Sequence, residues 1–172
     1  MEKVFKQIKP IDVFITNIEA GILNWRSDEV KVIKNRTTGN ELIDKVAELL
    51  SIHHMRSTQF YEKALGMRQG TLYPMMLLYS GLSFREWRNQ YIMLSAKEWL
   101  TETDYKLDVI GKRLGFSSIH TFSKWFIRTE DIAPIYWRKY AKEMRRKQDA
   151  EHALQWKKEN YKRNCETQST SI

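Results

Sequence analysis

The sequence predicts an all-α fold in which two helix-turn-helix subdomains are joined by a long linker helix, with helical extensions at both ends. Three observations support this prediction. Strand signals are weak, because the 172 residues include only 3 prolines and 7 glycines and almost no alternating β-branched runs. Apolar residues instead recur every three or four positions along most of the chain, as in amphipathic helices. The third observation is an internal repeat.

The repeat has an offset of 49 to 50 residues. Leu65-Gly66-Met67 returns as Leu114-Gly115-Phe116, and Trp87-Arg88 returns as Trp137-Arg138. The apolar positions in between also correspond, with Leu72, Met75 and Met76 in the first copy matching Phe122, Trp125 and Phe126 in the second. Matching anchors at one offset indicate that the chain contains one supersecondary unit twice.

Residues 1–39 are predicted to form an N-terminal helical extension. Pro10 stands where a helix often begins, and the apolar residues after it have helical spacing: Ile11, Phe14, Ile15, Ile18 and Ile22. The polar stretch at 36–40 (RTTGN) is a linker. A second amphipathic helix is predicted after it, with the apolar residues Leu42, Ile43, Val46, Leu49 and Leu50.

The first helix-turn-helix unit is predicted at about 57–81. Its second helix must begin near Leu72, with Thr71 as its cap, because Pro74 is tolerated only in the first turn of a helix. The linker helix follows at about 84–101, and Ser83 with Glu86 forms a capping box at its start. Its two apolar stripes contain Phe84, Trp87, Tyr91 and Leu94, and Ile92, Ala96 and Trp99. Two stripes suit a helix that is buried between two units, and its length is about 27 Å at ~1.5 Å per residue.

The second unit is predicted at about 106–131. Its short first helix has one apolar stripe, formed by Leu107, Ile110 and Leu114. Gly115 ends that helix, and Ser117 or Ser118 can cap the next one. The second helix turns Phe122, Trp125 and Phe126 inward, which leaves His120, Thr121, Lys124, Ile127 and Arg128 largely outside. An ordinary helical hairpin has the same local pattern, and the repeat favours a helix-turn-helix.

The net charge of +8 lies mostly near the C-terminus. Residues 138–165 carry 10 basic and 4 acidic side chains, whereas residues 57–137 carry 10 and 8. Residues 143–172 are therefore predicted to form a basic helical tail that is disordered at the end. Such a run is either a solvated helix face or a site for a polyanion, so charge alone does not establish a nucleic-acid partner.

Several other classes of protein are not indicated. The chain has no apolar run of about 20 residues and no signal peptide, so we expect a cytoplasmic protein without a membrane partner. The single cysteine, Cys165, is interpreted as an inert tail thiol. No catalytic triad order, phosphate loop or metal-spaced cluster appears, so we expect no enzyme, no cofactor and no metal. His53-His54 is interpreted as a turn or surface pair.

Residues 107–140 (LDVIGKRLGFSSIHTFSKWFIRTEDIAPIYWRKY) resemble the second helix-turn-helix signature of the AraC/XylS family of bacterial transcription regulators. The matching positions are Gly115, Phe116, Ser117, Ser118, Phe122, Ser123, Phe126, Pro134 and Arg138, with Lys124 at a usually basic position. The resemblance covers about 40–142. It is looser in the first unit, where Leu65, Gly66, Leu72, Gly81 and Ser83 match.

The chain also departs from the family pattern. Asp131 replaces a usual glycine, and Ala133 replaces a usual Thr or Ser, which forgoes a cap worth about 1 kcal/mol. Pro74, Leu77 and Leu78 stand where relatives tend to carry Arg or Lys. We expect the two leucines to be buried against the linker helix, and their presentation to a partner is the other interpretation. About 40 residues precede the resemblance, too few for the family's effector-binding β-barrel, so a stand-alone or truncated member is expected.

The resemblance implies a regulator that reads double-stranded DNA in the major groove with two recognition helices, the second dominant. Lys124 suits guanine O6 and N7, His120 and Thr121 suit hydrogen-bonding base edges, and Ile119 suits a thymine methyl. Arg128 suits phosphates, and Ser118 is a further candidate for contact with DNA. The candidates in the first unit are Gln69, Thr71 and Tyr73.

A second hypothesis comes from a different class of protein. The chain is then a degenerate family member that acts as a protein-interaction module through its apolar first unit and charged tail. The small charge excess of residues 57–137 and the Leu77-Leu78 pair favour it, whereas DNA binding that depends steeply on salt would count against it. RNA polymerase is a further candidate partner. The sequence indicates neither the oligomeric state nor the operator.

Overall fold

The computed structural model describes residues 7–15 and 35–168, with side chains up to Glu159. Within these ranges the chain forms eight helices and no strand, which confirms the predicted all-α class. The helices are α1 Pro10–Val13, α2 Glu41–His53, α3 Thr58–Ala64, α4 Leu72–Ser80, α5 Phe84–Glu102, α6 Leu107–Arg113, α7 Ile119–Glu130 and α8 Pro134–Gln168. None of the helices in the described part is long and apolar enough to cross a membrane.

The chain divides into two compact parts, Met1–Pro134 and Ile135–Ile172. The first part contains α1 to α7. The second part consists, where it is described, of α8 after Pro134. The end of the basic tail, residues 169–172, lies outside the described residues, as does the side chain of Cys165.

Helix α5 lies at the centre of the core of residues 1–134. The capping box at its start is present, because Ser83 N–H donates to the Glu86 carboxylate at 2.9 Å and Glu86 N–H donates to Ser83 Oγ at 3.3 Å. Most members of the two predicted stripes are fully buried, namely Phe84, Trp87, Tyr91, Ile92 and Ala96. The Trp87 and Tyr91 rings stack with their centroids 5.8 Å apart. The predicted linker helix is therefore confirmed, and both of its apolar stripes are packed.

The N-terminal helix is shorter than the sequence predicts. Helix α1 begins at Pro10 as expected, but it ends at Val13, and Phe14 is extended with φ −65° and ψ 131°. The reason lies in contacts with distant residues, since the Val13 carbonyl accepts a hydrogen bond from Arg36 N–H at 2.8 Å and the Phe14 ring meets the edge of Tyr91. The prediction of a continuous helix through Phe14 is therefore wrong. The rest of that predicted helix, residues 16–34, lies outside the described residues.

The segment before α1 is bonded to the first helix-turn-helix unit. Ile8 N–H donates to the Tyr79 carbonyl at 3.0 Å, and the Trp87 indole N–H donates to the Ile8 carbonyl at 3.1 Å. Lys9 Nζ reaches the Ser80 carbonyl at 2.6 Å, where the last carbonyls of a helix lack intrahelical partners. The N-terminal segment thus stabilises the C-terminal end of α4.

Helix α2 forms as predicted, directly after the linker. Asn40 caps it through its side-chain oxygen, which accepts from Ile43 N–H at 3.0 Å. Its buried face contains Ile43, Val46, Ala47 and Leu50.

Candidate nucleic-acid interface

The second helix-turn-helix unit consists of α6, a tight turn and α7. Gly115 is left-handed at φ +87°. Phe116 N–H donates to the Gly111 carbonyl at 2.9 Å, and this hydrogen bond closes a turn of six residues at the end of α6. A Cβ on Gly111 would lie 3.1 Å from Phe122 Cβ, so glycine lets α6 approach α7 closely. The turn that the sequence predicts at Gly115 is therefore confirmed.

Helix α7 exposes the face that the sequence predicts. Of the two candidate caps Ser118 is the one used, because its Oγ accepts from Thr121 N–H at 3.2 Å. Phe122 and Phe126 are fully buried, while Trp125 is half-buried. The exposed residues are Ile119, His120, Thr121, Lys124, Ile127, Arg128 and Thr129.

Four of the predicted site residues line one shallow depression on α7. The lining residues of this depression, about 290 Å³ in volume, are His120, Thr121, Lys124, Trp125 and Arg128. The only acidic residue of α7, Glu130, forms an ion pair with Lys97 of α5 at 2.7 Å. The depression thus has two cations and no carboxylate among its lining residues. The sequence interpretation missed Trp125 as a lining residue because it had assigned this side chain to the core.

The first unit repeats the same turn. Gly66 is left-handed at φ +67°, and Met67 N–H donates to the Glu62 carbonyl at 2.8 Å. Gly66 N–H also donates to the Lys63 carbonyl at 3.1 Å, as Gly115 N–H does to the Lys112 carbonyl at 3.0 Å. The two copies of the sequence repeat therefore share a backbone hydrogen-bond pattern.

The start of α4 differs from its expected form in one respect. The helix begins at Leu72 as predicted, but Thr71 makes no side-chain cap. A capping side chain accepts from the N–H of the second or third helical residue, and the third is Pro74, which has none. The carboxylate of Glu62, only 3% exposed, accepts instead from Gly70 N–H at 2.7 Å and Leu72 N–H at 3.3 Å.

The expectation that Leu77 and Leu78 are buried against the linker helix is wrong. Leu77 is 38% exposed and Leu78 is 67% exposed. The buried positions of α4 recur every four residues at Leu72, Met76 and Ser80, so the two residues after Met76 point away from the core.

The other candidates of the first unit surround the start of α4. Gln69 is exposed in the turn before the helix, Thr71 is half-buried, and Tyr73 is 56% exposed in the first turn. The structure thus places all three near the start of α4.

Residues His54 to Arg56 connect the two helix-turn-helix units. Met55 N–H donates to the Leu114 carbonyl at 3.1 Å, and Arg88 donates to the Arg56 carbonyl. The Tyr61 hydroxyl donates to the His54 carbonyl at 2.5 Å. Burial lowers the pKa of His54 to about 4, so its imidazole is neutral near pH 7. The sequence interpretation missed this bridge, because it treated the histidine pair as a local turn.

Comparison with known proteins identifies the domain. A family model described as a helix-turn-helix domain matches residues 61–140. The match confirms the resemblance to the AraC/XylS family for this part of the chain. Regulatory protein PocR of Salmonella typhimurium is 35% identical to the chain over 65 residues, which are 38% of this chain. The match spans only 22% of the length of PocR.

Solved structures show the same fold. The C-terminal domain of the response regulator yesN from Fusobacterium nucleatum is 25% identical, with a TM-score of 0.52 over 59% of this chain and 99% of that one. The C-terminal domain of the response regulator AraT from Geobacillus stearothermophilus is 20% identical, with a TM-score of 0.55 over 60% and 88%. The DNA-binding domain of the transcriptional factor AdpA, solved with a target DNA, is 22% identical with a TM-score of 0.53 over 61% and 93%. These likenesses show the fold of AraC-type helix-turn-helix domains.

Proposed function

We propose that this chain is a sequence-specific transcription regulator that binds double-stranded DNA in the major groove, with α7 as the main reading helix and α4 as a weaker second one. The observation that carries the proposal is the exposed face of α7. It presents Lys124 and Arg128 one helical turn apart, and the one carboxylate of the helix is paired with Lys97. Such a face attracts phosphates and can donate to base edges.

Each exposed side chain of α7 has a chemistry that suits one part of the groove. Lys124 is suited to guanine O6 and N7, and His120 and Thr121 to hydrogen-bonding base edges. Ile119, also exposed, is suited to a thymine methyl. Arg128 is suited to a phosphate. Ser118 lies at the helix start, where backbone N–H groups favour an anion.

The first unit contributes a second, weaker contact in this proposal. Gln69, Thr71 and Tyr73 supply its polar groups, while α4 itself has no charged side chain. Helix α5 between the units has 19 residues and is about 28 Å long at ~1.5 Å per residue. That length is close to the ~34 Å between successive major-groove faces on one side of B-DNA. The complex of AdpA with its target DNA supports DNA as the class of ligand.

Selection of bound fragments from a random duplex library tests the proposal. On the selected site, Lys124→Ala is expected to weaken specific binding by about 1–3 kcal/mol and to relax the preference at one base position. Lys45→Ala removes the same charge from an exposed position of α2 and serves as the matched control. Unchanged affinity together with unchanged base preference in Lys124→Ala would contradict the role of α7.

A protein-interaction module is the second candidate function, and the exposed leucines of α4 favour it. In that case α4 and the basic tail contact a protein partner, and only α7 remains on DNA. Hydroxyl-radical footprinting separates the two functions. Two readers give a strongly specified half and a weakly specified half, about one helical turn apart. The interaction module gives a footprint that is only one half as long.

A further inference from the structure

The exposed face of α4 is hydrocarbon apart from the hydroxyl of Tyr73. Tyr73 and Leu77 lie one turn apart, and so do Pro74 and Leu78, which together form two adjacent rows. All four side chains are exposed. No residue of α4 is charged. Single exposed apolar residues are ordinary on protein surfaces, but four neighbours on one short helix mark a contact surface.

The repeat relates this face to the DNA-facing side of α7. At an offset of 50 residues, Pro74 corresponds to Lys124, Leu77 to Ile127 and Leu78 to Arg128. The equivalence is structural as well, because α4 and α7 end alike: Gly81 and Asp131 are both left-handed, and their N–H groups donate to the Leu77 and Ile127 carbonyls. At the two positions where α7 has the cations Lys124 and Arg128, α4 therefore has hydrocarbon side chains.

Only one group in the major groove is complementary to hydrocarbon. Base edges there are hydrogen-bond donors and acceptors, apart from the C5-methyl of thymine. Phosphates require donors, which leucine lacks. We propose that α4 reads thymine methyl groups, with Leu78 and Leu77 contacting the methyls in the half of the site that α4 faces. This inference rests on the proposed function.

The charges that flank α4 along the chain favour a duplex over an apolar protein partner. Arg68 is exposed in the turn before α4, where its carbonyl accepts from Thr71 N–H at 3.1 Å. Arg85 is exposed in the first turn of α5, five residues after α4 ends. A hydrocarbon surface with a cation beyond each end matches a groove floor bordered by phosphates.

The test replaces thymine by deoxyuridine in the selected site, separately in each half, with the full chain as the binding protein. This replacement removes the methyl group and keeps the base pairing. For wild type, deoxyuridine in the α4 half is expected to weaken binding about fourfold for each contacted methyl. Leu78→Ala is expected to lose the part of this discrimination that comes from the methyl it contacts, and the double variant Leu77→Ala with Leu78→Ala is expected to bind the two versions of that half nearly equally. Ile11→Ala truncates an exposed apolar residue on α1 and is expected to keep the wild-type discrimination.

The outcomes are distinct. The inference is overturned if the selected α4 half has no thymine preference, or if wild type binds both versions equally. It is also overturned if Leu78→Ala keeps full discrimination or leaves all DNA affinities unchanged, the result that a protein partner on α4 predicts. Each of these outcomes leaves α7 as a reader, which Lys124→Ala reports independently. Failure to select any site removes the proposed function itself.

Discussion

Gly66 and Gly115 occupy the same position in the two copies of the repeat, and they offer a matched pair of substitutions. Both are left-handed, at φ +67° and φ +87°. A Cβ on Gly66 would have no neighbour within 4 Å, whereas a Cβ on Gly115 would lie 3.0 Å from Met55 N and 3.3 Å from Met55 O. Gly66→Ala therefore introduces backbone strain alone, and Gly115→Ala adds a steric conflict.

The size of the difference follows from these contacts. Left-handed backbone costs an L-residue about 1–2 kcal/mol, part of which is offset because alanine has less freedom in the unfolded chain. We expect Gly66→Ala to lower the free energy of unfolding by about 1 kcal/mol. At Gly115 the neighbour is backbone and must move, which weakens the bond from Met55 N–H to the Leu114 carbonyl. That loss adds about 1–2 kcal/mol.

Urea unfolding followed by circular dichroism measures both variants, with the slope of the transition checking that unfolding stays cooperative. Gly115→Ala is expected to be the less stable of the two by at least ~1 kcal/mol. Equal losses in the two variants would refute the reasoning, because they would show that the bridge at Met55 carries no stability.

Three further predictions concern α4, α7 and the tail. Glu62→Ala should lower the free energy of unfolding by about 2–4 kcal/mol in urea titration, because Gly70 N–H and Leu72 N–H lose their buried acceptor. Asp131→Gly should raise it by about 0.5–1 kcal/mol in thermal unfolding, because Asp131 ends α7 with φ +55°. Deleting residues 144–172 should flatten the salt dependence of DNA affinity and leave base preference intact, because residues 144–165 carry 7 basic and 3 acidic side chains.

Each of these predictions has a contrary result. Lys63→Ala, at an exposed neighbour on α3, is the control for Glu62→Ala, and equal stability of the two variants would remove the capping role. A less stable Asp131→Gly would show that the aspartate makes a compensating interaction. Loss of the preferred site on deletion of the tail would show that the tail contributes to specificity.

The parts of the fold that sequence reasoning predicted correctly are those set by local signals. Gly115 and Ser118 lie within four residues of each other and determine the end of α6 and the start of α7. Ser83 and Glu86 do the same for α5. Turns and caps depend on neighbours in the chain, so their residue types are visible without knowledge of the fold.

The missed features depend on contacts between distant parts of the chain. The hydrogen bond from the Trp87 indole to the Ile8 carbonyl joins residues 79 positions apart, and no local sequence pattern predicts it. The exposure of Leu77 and Leu78 could have been predicted from the sequence, because Leu72 and Met76 already define the buried row of α4. The capping role of Glu62 also had a signal. Pro74 cannot donate to a cap at Thr71, so another acceptor was required near the start of α4.

The two copies of the repeat use one position for different purposes, and this goes together with the different starts of α4 and α7. Glu62 and Gly111 correspond at the offset of 49 residues. In the first copy the Glu62 carboxylate completes the start of α4. In the second copy Gly111 allows close packing against Phe122, and a serine at the helix start supplies the cap. At the offset of 50 residues that relates the two helices, α7 begins three residues earlier than α4, and the additional residues include the exposed His120 and Thr121. The longer helix has the polar and charged face, which is the physical basis for assigning it the larger part of sequence reading.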